Sequence, residues 1–344
     1  MTSRVDALLS ECLRAYPALP ALDPSALPDA FWSRAHARGV AVSVAAQLGI
    51  RAAPVAAWRI QQTAMALRSR ALTVRCLRLC AEMGIAAAPL KGPLLAERLY
   101  GDLARRPTSD VDLLVVHRDA RRLVSRLGRE GAAMPAPHVH DYYEKHHHHL
   151  DVMWCGVLVE VHFRATSSFG VSTPAEPLLA RSTPATADGQ PMRVLESSDE
   201  LVYLATHAAA HYFASDILLL DLKLLQQTGR PDWSIVERRS RARRLDRAVG
   251  AAFLAAERRV GFDTSGMSPP WHAQSRRVLH RLPPDLPAGY VDDWRVRLRQ
   301  RLAEAMLCNT RSIAARVLGH AALRATKRRL QHRWPTLVPA SWRA

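Results

Sequence analysis

The sequence predicts a mixed α/β (α+β) fold, in which a small sheet-containing core lies between two helical regions. Three observations lead to this fold class. Apolar residues recur at helical spacing up to Met83, short alternating apolar runs follow, and helical spacing returns from Asp199. We therefore divide the chain into a helical region, a core, a connector and a basic helical region, at residues 1–83, 84–165, 166–197 and 198–344.

The predicted elements follow from apolar spacing and from turn residues. One long helix is expected over 54–83, and Gly84 is a typical stop. The core then alternates short strands and helices, with strands at 85–90, 109–116, 146–154 and 157–163 and helices at 94–102 and 118–131.

The connector is rich in Ser, Thr, Pro and Ala, and its Asp188-Gly189 pair predicts one hairpin turn. Beyond the connector we expect one continuous helical stretch over 199–229 and another helix that begins at Asp232. A proline-rich break then precedes a last basic helical region at about 293–333.

The composition excludes several classes of protein. The chain has 344 residues, of which 48% are hydrophobic and 23% charged, and this ordinary usage excludes disorder, collagen or a coiled coil as the main structure. No apolar run is long enough to span a membrane, and the N-terminal residues lack the apolar segment of a secretory signal. Five cysteines do not make a disulfide framework, so we expect a cytoplasmic protein.

The net charge of +17 belongs to the C-terminal third of the chain. Residues 230–344 carry a net +15, whereas residues 1–229 carry +2. Arginine clusters at 238–244 and 295–301, and a basic cluster at 327–329, would suit RNA, an acidic protein partner or a membrane surface. A solvated arginine-rich face explains the same residues equally well, so a nucleic-acid partner stays open.

The sharpest motif is Asp110-Val-Asp112 on a predicted strand. Residues two apart on a strand project from the same face, so the two carboxylates lie side by side. Carboxylates this close repel unless a cation lies between them, and oxygen ligands favour Mg²⁺ or Mn²⁺. The motif therefore predicts a metal site, against the alternative of a solvated edge pair.

Lys91-Gly92 lies upstream, where a predicted strand meets a helix. Such a junction offers free backbone N–H groups to a phosphate, and Gly92 would allow close approach. Lys91 is one of only four lysines beside 44 arginines, which suggests a specific point-charge contact.

Glu160 and His162 share one face of the strand at 157–163. If this strand pairs beside Asp110 and Asp112, Glu160 reaches the same metal. Three carboxylates from neighbouring strands would form a two-metal site for phosphoryl transfer.

These residues carry a resemblance to a known family. Lys91-Gly92, Leu99-Tyr-Gly-Asp102, Arg106-Pro-Thr-Ser-Asp110-Val-Asp112 and Glu160-Val-His162 resemble the nucleotidyltransferase superfamily with the polymerase-β-like fold. The likeness is greatest to the bacterial branch of uncharacterised nucleotidyltransferases, whose members often accompany capsule or lasso-peptide clusters. It continues through 199–233, covers about residues 50–265, and implies that the α/β core is a nucleotidyltransferase core.

The resemblance also implies roles for the site residues. Asp110 and Asp112 would hold Mg²⁺ or Mn²⁺, Glu160 would complete the second metal site and help to activate the acceptor, and an NTP such as ATP would be the substrate. Residues implied to contact the nucleotide are Lys91, Gly92, Arg106, Ser109, His162 and His211. The chain departs from the wider superfamily in having Lys91-Gly92 where Gly-Ser is usual.

Histidines leave two further alternatives open. Six of the 15 histidines fall within 138–149. Adjacent histidines on a strand point to opposite faces, so a structural zinc site is disfavoured there. We expect one or two of these imidazoles to face the substrate. His207 and His211 share a helix face, where they would pack against Asp221 or the core or, as the resemblance favours for His211, contact the nucleotide.

The sequence thus predicts a cytoplasmic, Mg²⁺-dependent enzyme that moves NMP from an NTP to a peptide, protein or small-molecule acceptor, with tailoring of a ribosomal peptide as the first guess. An acidic or phosphorylated acceptor would match the basic region. The alternatives are a toxin-like enzyme acting on RNA, a sugar or phosphate transferase on the same fold, and a non-catalytic nucleotide-binding regulator.

Overall fold

A computed structural model describes residues 4–24, 27–51, 53–289 and 291–319 of the chain. It confirms the mixed α+β class. Three small sheets are set among helices, and one of them, a four-stranded sheet, lies within the predicted core.

The N-terminal region is helical. Its helices are α1 (Arg4–Ala15), α2 (Asp29–Ala37), α3 (Ala41–Leu48) and the long α4 (Ala53–Glu82). Gly84 follows α4 with φ of +66°, a left-handed conformation that glycine adopts without steric cost.

The core alternates strands and helices as the apolar spacing predicts. Its strands are β1 (Ala88–Pro89), β2 (Asp110–Leu114), β3 (His149–Trp154) and β4 (Val157–His162), and its helices are α5 (Pro93–Tyr100), α6 (His117–Arg129) and α7 (Pro137–His146). The predicted strand at 146–154 therefore begins three residues later, because α7 occupies the chain up to His146.

The four strands form one sheet in the order β1-β2-β4-β3. β2 and β4 are parallel, with Asp112 opposite Glu160, and β3 runs antiparallel to β4, with Asp151 opposite Glu160. The alternate residues of these strands, such as Val111, Leu113 and Val159, are buried in an apolar cluster with residues of α4 and α6. One face of the sheet is thus core, and the other carries the polar residues.

The connector contains more structure than the single hairpin predicted. β5 (Arg164–Ser168) pairs with β6 (Val171–Pro174), α8 (Ala175–Arg181) follows, and β7 (Thr183–Ala187) pairs with β8 (Gln190–Val194). The predicted turn is the loop of the second hairpin, where Asp188 and Gly189 both have positive φ. Two residues with positive φ are what a two-residue hairpin loop requires.

The helices after the connector are α9 (Ser197–Ala210), α10 (Asp216–Gly229), α11 (Trp233–Ala242), α12 (Asp246–Val260), α13 (Pro269–Arg281) and α14 (Trp294–Leu307). The continuous helical stretch predicted over 199–229 is broken at 211–215, where Tyr212 and Phe213 both have positive φ. Asp232 begins α11 as expected, since its side chain accepts hydrogen bonds from the backbone N–H groups of Ser234 and Ile235.

The last basic helical region divides after α14, and residues 311–319 are again helical. The rest of its predicted extent, including the basic cluster at 327–329, lies outside the described residues. Within the described residues, no helix combines the length and the apolar character that crossing a membrane would need.

Lys223 of α10 joins this helix to α1. Its Nζ donates hydrogen bonds to the carbonyl oxygens of Leu13 and Arg14, at 3.0 and 2.7 Å. Burial, with a smaller effect from the charge of Arg14, lowers the pKa of Lys223 from 10.5 to about 8.

This lysine gives a pH-dependent stability. Between about pH 8 and pH 10 the unfolded chain binds more protons at Lys223 than the folded chain, so the free energy of unfolding should rise with pH there. Measured by urea unfolding, the free energy of unfolding should rise more between pH 8 and pH 10 for the wild type than for Lys223→Met. Equal rises in the two proteins would contradict this assignment.

Candidate active site

The polar face of the sheet places acidic and imidazole groups in two rows. The first row crosses β2, β4 and β3 as Asp112, Glu160 and Asp151. The second row, two residues further along β4, contains His162 opposite His149 of β3. Because side chains alternate along a strand, all five residues point to the same face. We call Asp112, Glu160 and Asp151 the carboxylate row.

His162 links the two strands that carry the predicted catalytic carboxylates. Its Nε2 lies 3.0 Å from Oδ1 of Asp112 and 3.2 Å from Oε2 of Glu160. The side chains of Asp112 and His162 are 0% and 4% exposed, so this pair is almost completely removed from water.

Lys91 brings a cation to the two aspartates of β2. Its Nζ lies 3.0 Å from Oδ2 of Asp110 and 2.8 Å from Oδ2 of Asp112. The lysine follows β1, and Gly92, with φ of +79°, precedes α5, so the predicted strand–helix junction is present. The predicted contacts of Lys91 and Gly92 with phosphate stay predictions.

The charges of Lys91, Asp112 and His162 stabilise one another. Burial alone would raise the pKa of Asp112, but the positive charge of Lys91 and the hydrogen bond from His162 hold this pKa well below its usual range. Burial opposes the charged form of His162 as well, yet hydrogen bonds to Asp112 and Glu160 raise its pKa to about 9. At neutral pH the site therefore contains an ionised Asp112 beside a cationic His162.

Arg106 lies in a different environment from the one predicted for a nucleotide contact. Its guanidinium donates from Nε and Nη2 to Asp221, at 3.0 and 2.9 Å, and Tyr100 donates to the same carboxylate at 2.7 Å. The side chains of Arg106 and Asp221 are 5% and 0% exposed. In this arrangement Arg106 connects the loop before β2 to α10. The nucleotide contacts of Arg106 and of the exposed Ser109 stay predictions.

His207 and His211 lie together at the end of α9, with ring centroids 4.5 Å apart. Burial is the main cause that lowers the pKa of both imidazoles, and the positive charge of Lys91 adds to it. Both imidazoles are therefore neutral, and both lie close enough to Lys91 to be affected by its charge. His211 stands at the C-cap of α9, where the predicted helix breaks, and its role toward the nucleotide stays a prediction.

His149 and Asp151 join this site although neither was an individual candidate from the sequence. Burial, followed by the negative charge of Glu160, raises the pKa of Asp151 to about 6, and burial and neighbouring imidazoles lower the pKa of His149 to about 2. The signal that reveals them is the polar–apolar–polar triplet His149-Leu-Asp151, which has the same form as Asp110-Val-Asp112 and Glu160-Val-His162.

The histidine run is divided between two elements. Because α7 ends at His146 and β3 begins at His149, the run does not form one strand with alternating faces. His148 and His149 both approach His162, with ring centroids 5.3 and 5.1 Å away. The side chains of His138, His140 and His146 lie outside what the structure describes.

Three overlapping groups on this face could hold a metal ion. In each group one ligand atom per residue lies within 4.8 Å of the others. The groups are Asp112, Glu160 and His162; His149, Asp151 and Glu160; and His148, His149 and His162.

Part of the basic region is used inside the protein. Asp199, which is completely buried, forms ion pairs with Arg181, Arg239 and Arg243, at 2.8, 3.1 and 2.7 Å. Two arginines of the cluster at 238–244 therefore stabilise the packing of α9 against α11 and the loop that follows it. Arg241 pairs with Glu237 on the same helix at 2.5 Å, which leaves the exposed Arg238 and Arg244 of that cluster for an external partner.

Comparison with known proteins gives one family match. The model of a family described as "uncharacterised nucleotidyltransferase" matches residues 24–261, an interval that contains the sheet, the connector and α9 to α12. No curated protein matches the chain.

Among solved structures, the chain is similar to an antigenic nucleotidyltransferase-like protein from Paracoccidioides brasiliensis. The identity is 15%, the match covers 53% of this chain and 91% of that chain, and the TM-score is 0.31.

Proposed function

We propose that this chain, which belongs to the uncharacterised nucleotidyltransferase family, is a metal-dependent enzyme that transfers NMP from an NTP to an acceptor. The observation that carries the proposal is the alignment of Asp112 with Glu160 across adjacent parallel strands, with Asp110 on the same face. Carboxylates in this arrangement suit the metal ions of phosphoryl transfer.

The donor atoms fit Mg²⁺ or Mn²⁺. Oδ2 of Asp112 is buried, and its partner is the Lys91 ammonium at 2.8 Å. A buried carboxylate oxygen that already attracts a cation, beside the carboxylates of Asp110 and Glu160, suits a hard divalent cation. When bound, the metal would supply Lewis-acid stabilisation of charge on the transferred phosphoryl group.

The residues of the chain would supply positioning and charge. In the reaction the acceptor oxygen bonds to the α-phosphorus, the bond from this phosphorus to the bridging oxygen breaks, and pyrophosphate leaves. We expect Lys91 to neutralise phosphate charge and Glu160 to orient and help to deprotonate the acceptor. His162 would hold both carboxylates in place through its two contacts. Pre-oriented charges of this kind can provide most of the lowering of a barrier.

We propose a peptide, protein or small molecule as the acceptor, of acidic or phosphorylated character, with ribosomal-peptide tailoring as the first class to test. The exposed Arg238 and Arg244 support an anionic acceptor, because neither pairs with Asp199, whereas Arg241 pairs with Glu237. RNA is the second candidate, since the same arginines would bind a phosphate backbone.

The test is incubation of the purified protein with α-labelled NTPs, Mg²⁺ or Mn²⁺, and either total RNA or a phosphopeptide library. We expect label on the peptide or small-molecule fraction, with a mass increase of one nucleoside monophosphate. Label confined to RNA would replace our acceptor with the second candidate. A hexose or phosphate mass increase with an NDP-sugar or NTP would show a different group transfer.

A further inference from the structure

We propose that His148, His149 and His162 form a nitrogen-ligated site for a transition-metal ion of the Zn²⁺ class, beside the carboxylate row. The site goes beyond nucleotidyl transfer, because its existence does not depend on which reaction the carboxylates serve.

The topology of the sheet creates the site. β3 and β4 are antiparallel, and their register places His149 directly opposite His162. His148 precedes β3, and its carbonyl oxygen accepts hydrogen bonds from the backbone N–H groups of Phe163 and Arg164, at 3.0 and 3.2 Å. The backbone on both sides of the three imidazoles is thus fixed by strand pairing, so the site is built before any ion binds.

The imidazoles converge and have unused nitrogens. One ring nitrogen from each of His148, His149 and His162 lies within 4.8 Å of the other two. His162 is buried, and its Nδ1 has no hydrogen-bond partner, while its Nε2 contacts Asp112 and Glu160. Because His162 is cationic without a metal, binding of an ion at Nδ1 releases one proton to water, and Nε2–H keeps its contacts with the two carboxylates. Nδ1 of His149 is likewise buried without a hydrogen bond. Buried nitrogens of this kind are costly unless something coordinates them.

The donor set selects the class of metal. Mg²⁺ prefers oxygen ligands and keeps much of its water, whereas three imidazoles are a common ligand set for Zn²⁺. Carboxylates are also present where imidazole ligands need orientation, since Nε2 of His149 lies 3.2 Å from Asp151 and Nε2 of His162 contacts Asp112 and Glu160. Such carboxylate–imidazole contacts orient histidine ligands in zinc sites.

The experiment uses the full chain after removal of metal with a chelator, without nucleotide. Co²⁺ replaces Zn²⁺ as a spectroscopic probe, and Zn²⁺ affinity is measured by calorimetry. We expect one equivalent of Co²⁺ to give the intense visible absorption of a four- or five-coordinate nitrogen-containing site. His149→Gln and His148→Gln should each weaken Zn²⁺ binding by at least about 100-fold, since each removes a ligand and loss of an outer-shell partner alone costs about 10–100-fold.

The matched control is His272→Gln, on α13, which should bind Zn²⁺ like the wild type. Far-UV circular dichroism checks that each variant is folded, and Zn²⁺ should raise the melting temperature of the wild type but not of the double variant His148→Gln/His149→Gln. A weak six-coordinate Co²⁺ spectrum, or Zn²⁺ binding that the double variant retains, would overturn the proposal.

This test separates the imidazole site from the proposed reaction. Loss of transfer in Asp112→Asn together with unchanged Zn²⁺ binding in the histidine variants would refute the zinc site and leave the reaction standing. Histidine-dependent Zn²⁺ binding in a protein without transferase activity would support the zinc site and refute the proposed reaction.

Discussion

Asp112→Asn should lower the rate of NMP transfer by about 1,000-fold, which corresponds to about 4 kcal/mol of transition-state stabilisation. The substitution removes the negative charge that lies between Lys91 and His162, at 2.8 and 3.0 Å, and keeps nearly the same side-chain shape. Steady-state transfer assays with saturating Mg·NTP measure the effect on kcat.

The control for this prediction is Asp292→Asn, which changes an exposed carboxylate of the C-terminal region and should keep full activity. Because Asp112 is buried, thermal unfolding must show that the variant is folded, and Glu160→Gln provides a second, less buried test of the same row. A folded Asp112→Asn protein with wild-type kcat would refute the proposed active site.

The same assay separates the enzyme from a nucleotide-binding regulator. A regulator would bind Mg·NTP without turnover, and its binding would not need the metal carboxylates. Calorimetry in which the Asp110→Asn protein binds Mg·NTP as tightly as the wild type would therefore favour the regulator, because these carboxylates would not hold the metal–nucleotide complex.

The strand motifs were predictable because they depend on a local rule. Alternation with period two places Asp110 with Asp112, and Glu160 with His162, on common faces whatever the tertiary structure is. The pairing of β2 with β4 was a hypothesis drawn from the same residues, and the register of Asp112 with Glu160 agrees with it.

The other half of the site depends on tertiary structure. Four consecutive histidines give no local signal for the point at which α7 ends and β3 begins, so the face on which His149 and Asp151 lie could not be assigned. The break between α9 and α10 was hidden for a similar reason. No glycine or proline marks 211–215, and the two residues with positive φ are aromatic, a conformation that packing must impose.

Long-range pairing was equally invisible to sequence analysis. Arg106 and Asp221 are 115 residues apart, and neither belongs to a pattern that names the other as its partner. The family resemblance implies a nucleotide contact for Arg106, four residues before Asp110, whereas the structure places its guanidinium on a buried carboxylate of α10.

Asp221→Asn should therefore destabilise the protein by about 3–5 kcal/mol, because it leaves the buried Arg106 guanidinium without its counter-charge. Urea unfolding at neutral pH measures the loss. Arg106→Met should cost a comparable amount, since Asp221 would then keep Tyr100 as its hydrogen-bond donor but lose the positive charge.

The double variant Arg106→Met/Asp221→Leu distinguishes two causes for the destabilisation of the single variants. One cause is loss of the attraction between the two charges, and the other is a single charge left buried without a partner. If the cost of the single variants comes from a charge left alone in the core, removing both charges should recover most of the stability, because the desolvation penalty disappears with them. The exposed ion pair of Arg121 with Asp141, whose side chains are 52% and 58% exposed, gives the matched control. Asp141→Asn should change the free energy of unfolding by less than about 1 kcal/mol. A loss in Asp221→Asn as small as that control would mean that the Arg106–Asp221 contact does not hold the loop before β2, and the position of Asp110 and Asp112 would need another source of rigidity.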